Sequence, residues 1–523
     1  MKSPKASAFF TDINILWLLG LALLLLHMFT NHQYGFHQDE LVVLDNANNL
    51  DWGFVEYPPL TPFLARIELT VFGFSLVSAR TFAALAHSIV LVLTGLMARE
   101  LGGRRAAQVL AALAAAIAPI ALIQGSLIQY VTFDFLWSVL IAYLVIRLLK
   151  SRDTRWWLPI GAVIGLGMMT KYTMVMFVAG LVGGVLLTDA RRYSLAPPAT
   201  TVPEAERSGR AGVRSPWLWG GVAISLLIFL PNLIWQIQHD FISLEFLSSI
   251  HERDVQIGRA DGYIIEQFLF CSNPFVIPFW VAGLIYYFRT EAGKRYRMIG
   301  WMYVLPFLIY LITQGRSYYL APAYPMLIAA GAVVWQGWID RLSGQRARFV
   351  RGVTWGGIVI GAVISGALAL PIAPINSPLW DITSEVHDTF TEQIGWPEMV
   401  ETVAGIYAEL PEGEKARAGI LAGENDEAAA LNLYGPEYGL PKAISGSDTF
   451  WLRGYGDPPP ETLIIVGFSR EDVASVSEQC DVAGTVTNPF GVENDLRNPP
   501  NIFVCRGLRI SWPELWERVK RYS

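Results

Sequence analysis

Carboxylates stand at two points near the start of this 523-residue chain. Asp39-Glu40 follows Gly35-Phe36-His37-Gln38, and Glu56 lies in Asp51-Trp52-Gly53-Phe54-Val55-Glu56-Tyr57-Pro58-Pro59-Leu60. A carboxylate held in place can serve as general base toward a hydroxyl or an amine. Asp39, Glu40 and Glu56 are therefore the candidate catalytic residues. Cations able to hold a phosphate come from elsewhere in the chain: Arg66, Lys171 in Gly167-Met168-Met169-Thr170-Lys171-Tyr172, and Arg316 in Gln314-Gly315-Arg316-Ser317-Tyr318-Tyr319. Tyr57, Tyr318 and Tyr319 could add hydroxyl contacts. A departing phosphate needs such groups to bind it and take up its charge. The competing readings are solvated acids, and a Lys171 that snorkels to an interface.

Histidine adds a metal possibility. His37, His239 and His251 fall in the same polar stretches as the acids, so Glu56 with His239 or His251 could hold a divalent ion, although no HExxH pair is present. No cofactor is otherwise required. The chain has no P-loop, no GxGxxG after a strand and no GxSxG elbow. An already activated, lipid-linked donor would make up for that lack.

The elements that must position these residues follow from composition. Apolar residues make up 53% of the chain and charged residues only 16%, against about 25% charged in soluble domains. That excludes a soluble globular protein, and 39 basic against 45 acidic residues give no basic excess for nucleic acid. Apolar runs predict eleven membrane spans, near 12–30, 76–98, 106–123, 133–149, 157–170, 172–188, 217–237, 263–288, 299–313, 319–339 and 352–374. The stretch 157–188 could be one span instead, making ten, because Lys171 alone divides it.

Orientation follows from Lys and Arg in the short loops. Lys2, Lys5 and alternate connections (99–105, 147–155, 191–214, 289–297, 341–351) carry the basic residues. The opposite loops and adjoining membrane ends hold six: Arg66, Arg80, Lys171, Arg253, Arg259 and Arg316. The N-terminus is expected in the cytoplasm, its first span retained, and 194–216 a flexible cytoplasmic loop. The first outside loop, 31–75, carries the acids, and a second runs over 238–262. Within the first, Leu41, Leu44 and Ala47, then Leu60, Leu64, Ile67 and Val71, predict two helices lying along the membrane surface, apolar face down. Pro58-Pro59 predicts an extended entry into the second.

Residues 1–374 thus form a membrane domain, and 375–523 an outside domain. In the latter, β-rich runs (Gly419–Ala422, Leu463–Gly467, Asn501–Cys505) alternate with helical patterns (Glu424–Tyr434, Arg470–Glu478), as in a small α/β domain. Cys480 and Cys505 are either buried thiols or a disulfide, which the loop-entropy relation values at roughly 3 kcal/mol.

In order along the chain, Asp39-Glu40, Trp52-Gly53, Glu56-Tyr57-Pro58-Pro59-Leu60, Gly73 with Arg80, Thr170-Lys171-Tyr172, Pro231-Asn232-Leu233-Ile234-Trp235-Gln236, and Gly315-Arg316-Ser317-Tyr318-Tyr319 with Pro322 and Pro325 form a set. Tyr434-Gly435-Pro436 and 488–494 extend it. This set resembles the bacterial branch of the dolichyl-phosphate-mannose–protein mannosyltransferase superfamily, and the aminoarabinose transferases that modify lipid A. The resemblance implies a GT-C fold: a helical polytopic membrane bundle with juxtamembrane helices, plus a C-terminal soluble α/β domain. It implies transfer from a polyprenyl-phosphate sugar donor, usually with inversion, to a protein, lipid or glycan acceptor in the bacterial cytoplasmic membrane. Asp39 would be the base, and Glu56 matches a second acid that lies near a metal. The aminoarabinose transferases carry Lys where this chain has Tyr57, so Lys171, Arg66 and Arg316 stand as substitutes. A flippase or transporter of lipid-linked sugars is the alternative, and a tail-mediated scaffold a third. Transporters place charged sites near the midplane, often in repeated halves, and no repeat is evident here.

Overall fold

The computed structural model describes residues 11–188 and 215–523. Lys2, Lys5, Arg191, Arg192, Arg207, Arg210, Arg214 and nearly all of the expected loop 194–216 lie outside the described residues. The chain divides into two compact units, neither continuous in sequence. One comprises Met1–Asn31, Arg80–Ile237 and Asp254–Leu370; the other comprises His32–Ala79, Gln238–Arg253 and Pro371–Ser523.

The first unit is helical. Helices stand at all eleven expected places, but they are not eleven simple spans. Among the described residues six are long and apolar enough to cross a membrane: Asp12–Thr30, Thr81–Glu100, Tyr130–Ser151, Pro216–Gln238, Ser317–Ile339 and Gly344–Ala369. The expected span 263–288 is a bent pair, Tyr263–Leu269 and Pro274–Arg289, meeting at 77°. Pro274 opens the second limb, and Asn273 Oδ1 accepts from Phe275 N at 2.9 Å. The expected span 106–123 is likewise broken. Arg105–Ala116 ends before Pro119, whose ring disfavours helix at the preceding residue. The stretch 157–188 forms two helices, Trp157–Met168 and Met174–Leu187, with Lys171 in the break.

Packing explains why these helices stay together. Leu16 and Leu23 of the first helix bury against Leu91, Val92, Ala112 and Ala116, while Trp17, Leu21, Leu25 and Phe29 remain exposed on its other side. An exposed apolar face of this size suits lipid, not water. Trp157–Met168 meets Pro216–Gln238 through glycines; a Cβ on Gly161 would collide with the carbonyl of Gly221. Such small-residue contacts let helices approach where no hydrophobic drive exists between them. The chain is a multi-pass membrane protein.

The second unit contains a five-stranded sheet: β1 (Ala418–Ala422), β2 (Ala443–Ser445), β3 (Thr462–Val466), β4 (Ser477–Thr485) and β5 (Asn501–Leu508). Its order is β2-β1-β3-β5-β4. The β2-β1-β3 portion is parallel, and β5 runs antiparallel to both of its neighbours. The central strand β3 reads Thr-Leu-Ile-Ile-Val and is buried throughout, as a strand covered on both faces must be. Cys480 faces Cys505 across β4 and β5, and the two are disulfide-bonded. The expected helix 470–478 ends at Val476 and Glu478 belongs to β4. Neither β2 nor β4 was legible as a strand, because one is three residues long and the other is a largely exposed edge.

The loop segments pack with the tail. Helix Gln38–Asn48 is buried from Glu40 to Ala47 and lies against Asn425–Tyr434, so it is no surface helix with one apolar face. Helix Leu60–Phe72 does present Ile67, Val71 and Phe72 outward. Its N-cap, Pro59, is already in helical conformation, so the expected extended entry does not reach Pro59.

Candidate active site

The acid pair divides at once. His37 caps helix Gln38–Asn48, its Nδ1 accepting from Asp39 N at 3.2 Å, while Glu40 Oε2 accepts from His37 N at 2.9 Å. This reciprocal box satisfies two otherwise orphaned donors. It leaves Glu40 fully buried and Asp39 half-exposed, with its carboxylate 3.9 Å from His37 Nδ1. A carboxylate in the first turn is also favoured by the helix dipole. One turn further, Asp45 and Asn46 both accept from Arg453. Asn46 Nδ2 donates to the Tyr57 hydroxyl at 2.7 Å, and burial, with the charge of Glu56, pushes that phenol well above its ordinary range. Tyr57 is thus a neutral hydroxyl tied to the helix that carries Asp39.

Glu56 is held by the tail. Its Oε2 accepts from Thr449 Oγ1 at 2.5 Å, and Oε1 lies 3.4 Å from Thr449 N and from Asn425 Nδ2. Thr449 Oγ1 in turn accepts from Val55 N at 2.9 Å. Asn425 Nδ2 also donates to Asp448 Oδ2 at 2.8 Å, and the same oxygen accepts from Ser523 Oγ at 2.7 Å and Ser447 Oγ at 3.2 Å. Asp448 Oδ1 is buried without a hydrogen-bond partner among the described residues, and the residue sits at φ 50°, a left-handed conformation that Asp tolerates better than most. Burial raises the Glu56 carboxyl above its usual range, opposed by the Thr449 hydrogen bond and the Arg453 charge. Burial and the charge of Glu56 raise Asp448 further. Two buried carboxyls bridged by one amide do not both ionise readily.

The cations sit differently. Lys171 is buried, with its Nζ 3.9 Å from the ring centre of Tyr319 and 5.2 Å from those of Tyr318 and Tyr130. Its ammonium makes no hydrogen bond or ion pair among the described residues and lies against aromatic faces. Asp134 acts on it electrostatically, is itself buried, and keeps Oδ1 without a partner in a small cavity it shares with Ser138, Tyr310 and Tyr319. Arg316 is engaged: Nε and Nη2 reach Asp254 at 2.5 and 3.0 Å, and Nη1 reaches the Tyr318 hydroxyl at 3.3 Å. Arg66 is exposed, with Nη1 2.9 Å from Asn48 Oδ1.

The residues do not fit a metal. Among the described residues no three of His, Cys, Asp and Glu stand together, so Glu56, His239 and His251 form no ligand set. Both Glu56 oxygens already face Thr449 and Asn425.

Sequence reasoning missed Asn425, Asp448, Thr449 and Arg453, which lie hundreds of residues from the acids they touch and carry no motif. It also missed Asp134, for which a signal existed: a lone carboxylate inside an apolar run is a functional hypothesis by default.

Comparisons with known proteins bear on the fold that carries these residues. A family model described as dolichyl-phosphate-mannose-protein mannosyltransferase matches residues 56–205. No curated protein sequence matches the chain significantly. Among solved structures, ArnT from Cupriavidus metallidurans in the apo state has a TM-score of 0.53 at 14% identity, over 96% of this chain and 98% of that one. The same protein bound to undecaprenyl phosphate gives 0.53 at 15%, over 94% and 97%. The Archaeoglobus fulgidus oligosaccharyltransferase, tethered to an acceptor peptide containing the NVT sequon, gives 0.51 at 12%, over 81% and 64%. The resemblance to the mannosyltransferase superfamily and to the lipid A aminoarabinose transferase is borne out, and the fold is GT-C and ArnT-like.

Proposed function

We propose that this chain is a membrane glycosyltransferase that moves a sugar from a polyprenyl-phosphate donor to a protein, lipid or glycan acceptor on the outer face of the bacterial cytoplasmic membrane. The observation that carries the reading is Asp39: a half-exposed carboxylate on a helix start that the capping box locks in place. Asp39 takes the acceptor's proton as the acceptor oxygen or nitrogen attacks the sugar's anomeric carbon. The bond from that carbon to the phosphate oxygen breaks, polyprenyl phosphate leaves, and one displacement inverts the centre. Lys171, a buried cation with no carboxylate in hydrogen-bond reach among the described residues, binds the phosphate and takes up its charge, with Tyr318 and Tyr319 beside it. Arg66 is a second, exposed phosphate contact. Arg316 serves by positioning Tyr318, because Asp254 already holds its guanidinium. Glu56 and Tyr57 orient the acceptor, and Glu40 holds the helix start.

Solved relatives in complex with undecaprenyl phosphate and with an acceptor peptide support the donor and acceptor classes. The Lys and Arg bias of the loops supports a cytoplasmic N-terminus, and the Cys480–Cys505 bond supports an extracytoplasmic tail, since disulfides persist in oxidising compartments. The test is Asp39→Asn in proteoliposomes with a lipid-linked sugar. Transfer should be lost while expression and donor binding persist; near-normal transfer would overturn the assignment. Movement of the lipid-linked sugar across the bilayer without a new glycosidic bond would instead support a transporter.

A further inference from the structure

The tail domain contains a cavity that the transfer reaction does not use. It measures about 200 Å³ and lies at the ends of the two central parallel strands. Leu421 is the penultimate residue of β1, Ile465 the penultimate residue of β3, and Phe468 lies two residues beyond the end of β3. In open α/β sheets, ligands bind beyond the carboxyl ends of parallel strands, where the crossover connections diverge. Val473 and Leu515, from the two covering helices Arg470–Val476 and Trp512–Arg518, complete an apolar floor.

The rim is cationic. Arg518, Lys520 and Arg521 all line it, and Asp472 is the single acid. Asp472 is spent locally, its Oδ2 accepting from Ser469 N and Oγ at 3.2 and 2.5 Å. Arg518 has no carboxylate partner among the described residues; Nη2 donates only to Ser475 Oγ at 3.1 Å. Lys520 is 3.8 Å from Glu245, at the outer limit of an ion pair. Arg521 Nη2 lies 3.0 Å from Glu424 as an ion pair, but its buried Nε has no hydrogen-bond partner among the described residues. A buried N–H left unpaired is costly and calls for an acceptor from elsewhere.

We propose that this cavity is a binding site for a small organic anion: a carboxylate or phosphate monoester on an apolar body about one ring in size. The anionic oxygens take Arg518 and Arg521 Nε, and the apolar body covers Leu421, Ile465 and Leu515. A neutral analogue leaves the cations unmatched, and a bare inorganic anion leaves the floor empty. The site is independent of the transfer reaction and stands or falls separately from it.

The test uses the full-length protein in detergent, with 4-(trifluoromethyl)benzoate followed by fluorine NMR. Its neutral amide and inorganic phosphate are the comparison probes. The benzoate should bind saturably, at least tenfold more tightly than either, with affinity falling as salt rises. Arg518→Gln, at an exposed position whose loss cannot unfold the domain through a buried charge, should weaken binding roughly tenfold, and Arg518→Glu should abolish it. Equal binding of benzoate and amide, or benzoate affinity unchanged in both Arg518 variants, would overturn the proposal. So would phosphate competing as strongly as the benzoate.

Discussion

The hydroxyl of Thr449 donates to Glu56 Oε2 at 2.5 Å while accepting the backbone N–H of Val55 at 2.9 Å. One tail residue therefore grips both the acid and the chain that carries it. Thr449→Val removes the donor and the acceptor together, leaving buried partners unmatched at a cost of about 1–3 kcal/mol. If Glu56 orients the acceptor, transfer by this variant should fall roughly tenfold or more, with a larger change in KM for acceptor than for donor. Thr449→Ser keeps the hydroxyl and should recover most of it. Equal loss of stability in Val and Ser variants, with transfer unchanged in both, would show that the contact is structural only.

The two acids of the first pair should separate experimentally. Glu40→Ala loses one arm of the capping box and should cost about 1 kcal/mol of stability, whereas Glu40→Gln, which can still close the box, should cost less. Transfer per folded molecule should persist in both. Asp39→Asn should show the reverse pattern, with little change in thermal unfolding and no transfer. Parallel melts and activity assays on the same preparations check this.

Lys171→Met should raise the KM for the lipid donor by roughly tenfold to a hundredfold, equivalent to about 1.4–3 kcal/mol of lost charge-assisted binding. The acceptor KM should hardly move. Arg316→Gln should behave differently, because it strands buried Asp254 without its partner and should lower stability by several kcal/mol. Donor binding unaffected in Lys171→Met would remove that lysine from the phosphate site.

Glu427 is pushed up to about 7 from an ordinary 4.5, first by burial, with the charge of Glu424 adding. A raised carboxyl binds more protons in the folded state than in the unfolded one. Its contribution to stability is therefore fully present below pH 4.5 and is lost as pH rises to about 7. Glu392 shifts in the same direction. Glu427→Gln can still accept the Glu424 N–H that the carboxylate takes at 3.0 Å. Its stability should be flatter across pH 4.5–7 than that of the parent, as read by chemical denaturation. An unchanged slope would contradict the assignment.

Much of this architecture was legible because membrane and sheet physics leave strong local marks. Each of the eleven apolar runs marks a helical place, though helices such as Ile242–Gln256 and Trp396–Glu409 went unread, and the runs around 419–422, 463–467 and 501–505 found three of five strands within a residue or a few. What failed were breaks and edges. The 77° bend and the break at Pro119 fall at prolines (Pro274 and Pro278 in the first, Pro119 in the second) inside otherwise apolar stretches. Helix Gln38–Asn48 read as amphipathic, yet the packed tail buries its polar side as well.

By itself the sequence determined the membrane class and the candidate residues, since these follow from composition and residue type; the expected division at 374/375 missed that His32–Ala79 and Gln238–Arg253 join the tail. Only the tertiary structure decided which of the candidate residues are available. It spent Glu40 on a cap and Arg316 on Asp254, left Asp39 half-exposed, and enclosed Glu56 with residues some 390 positions away. Burial and long-range hydrogen bonding are properties of the folded chain, and no local pattern encodes where a carboxylate's partner will come from.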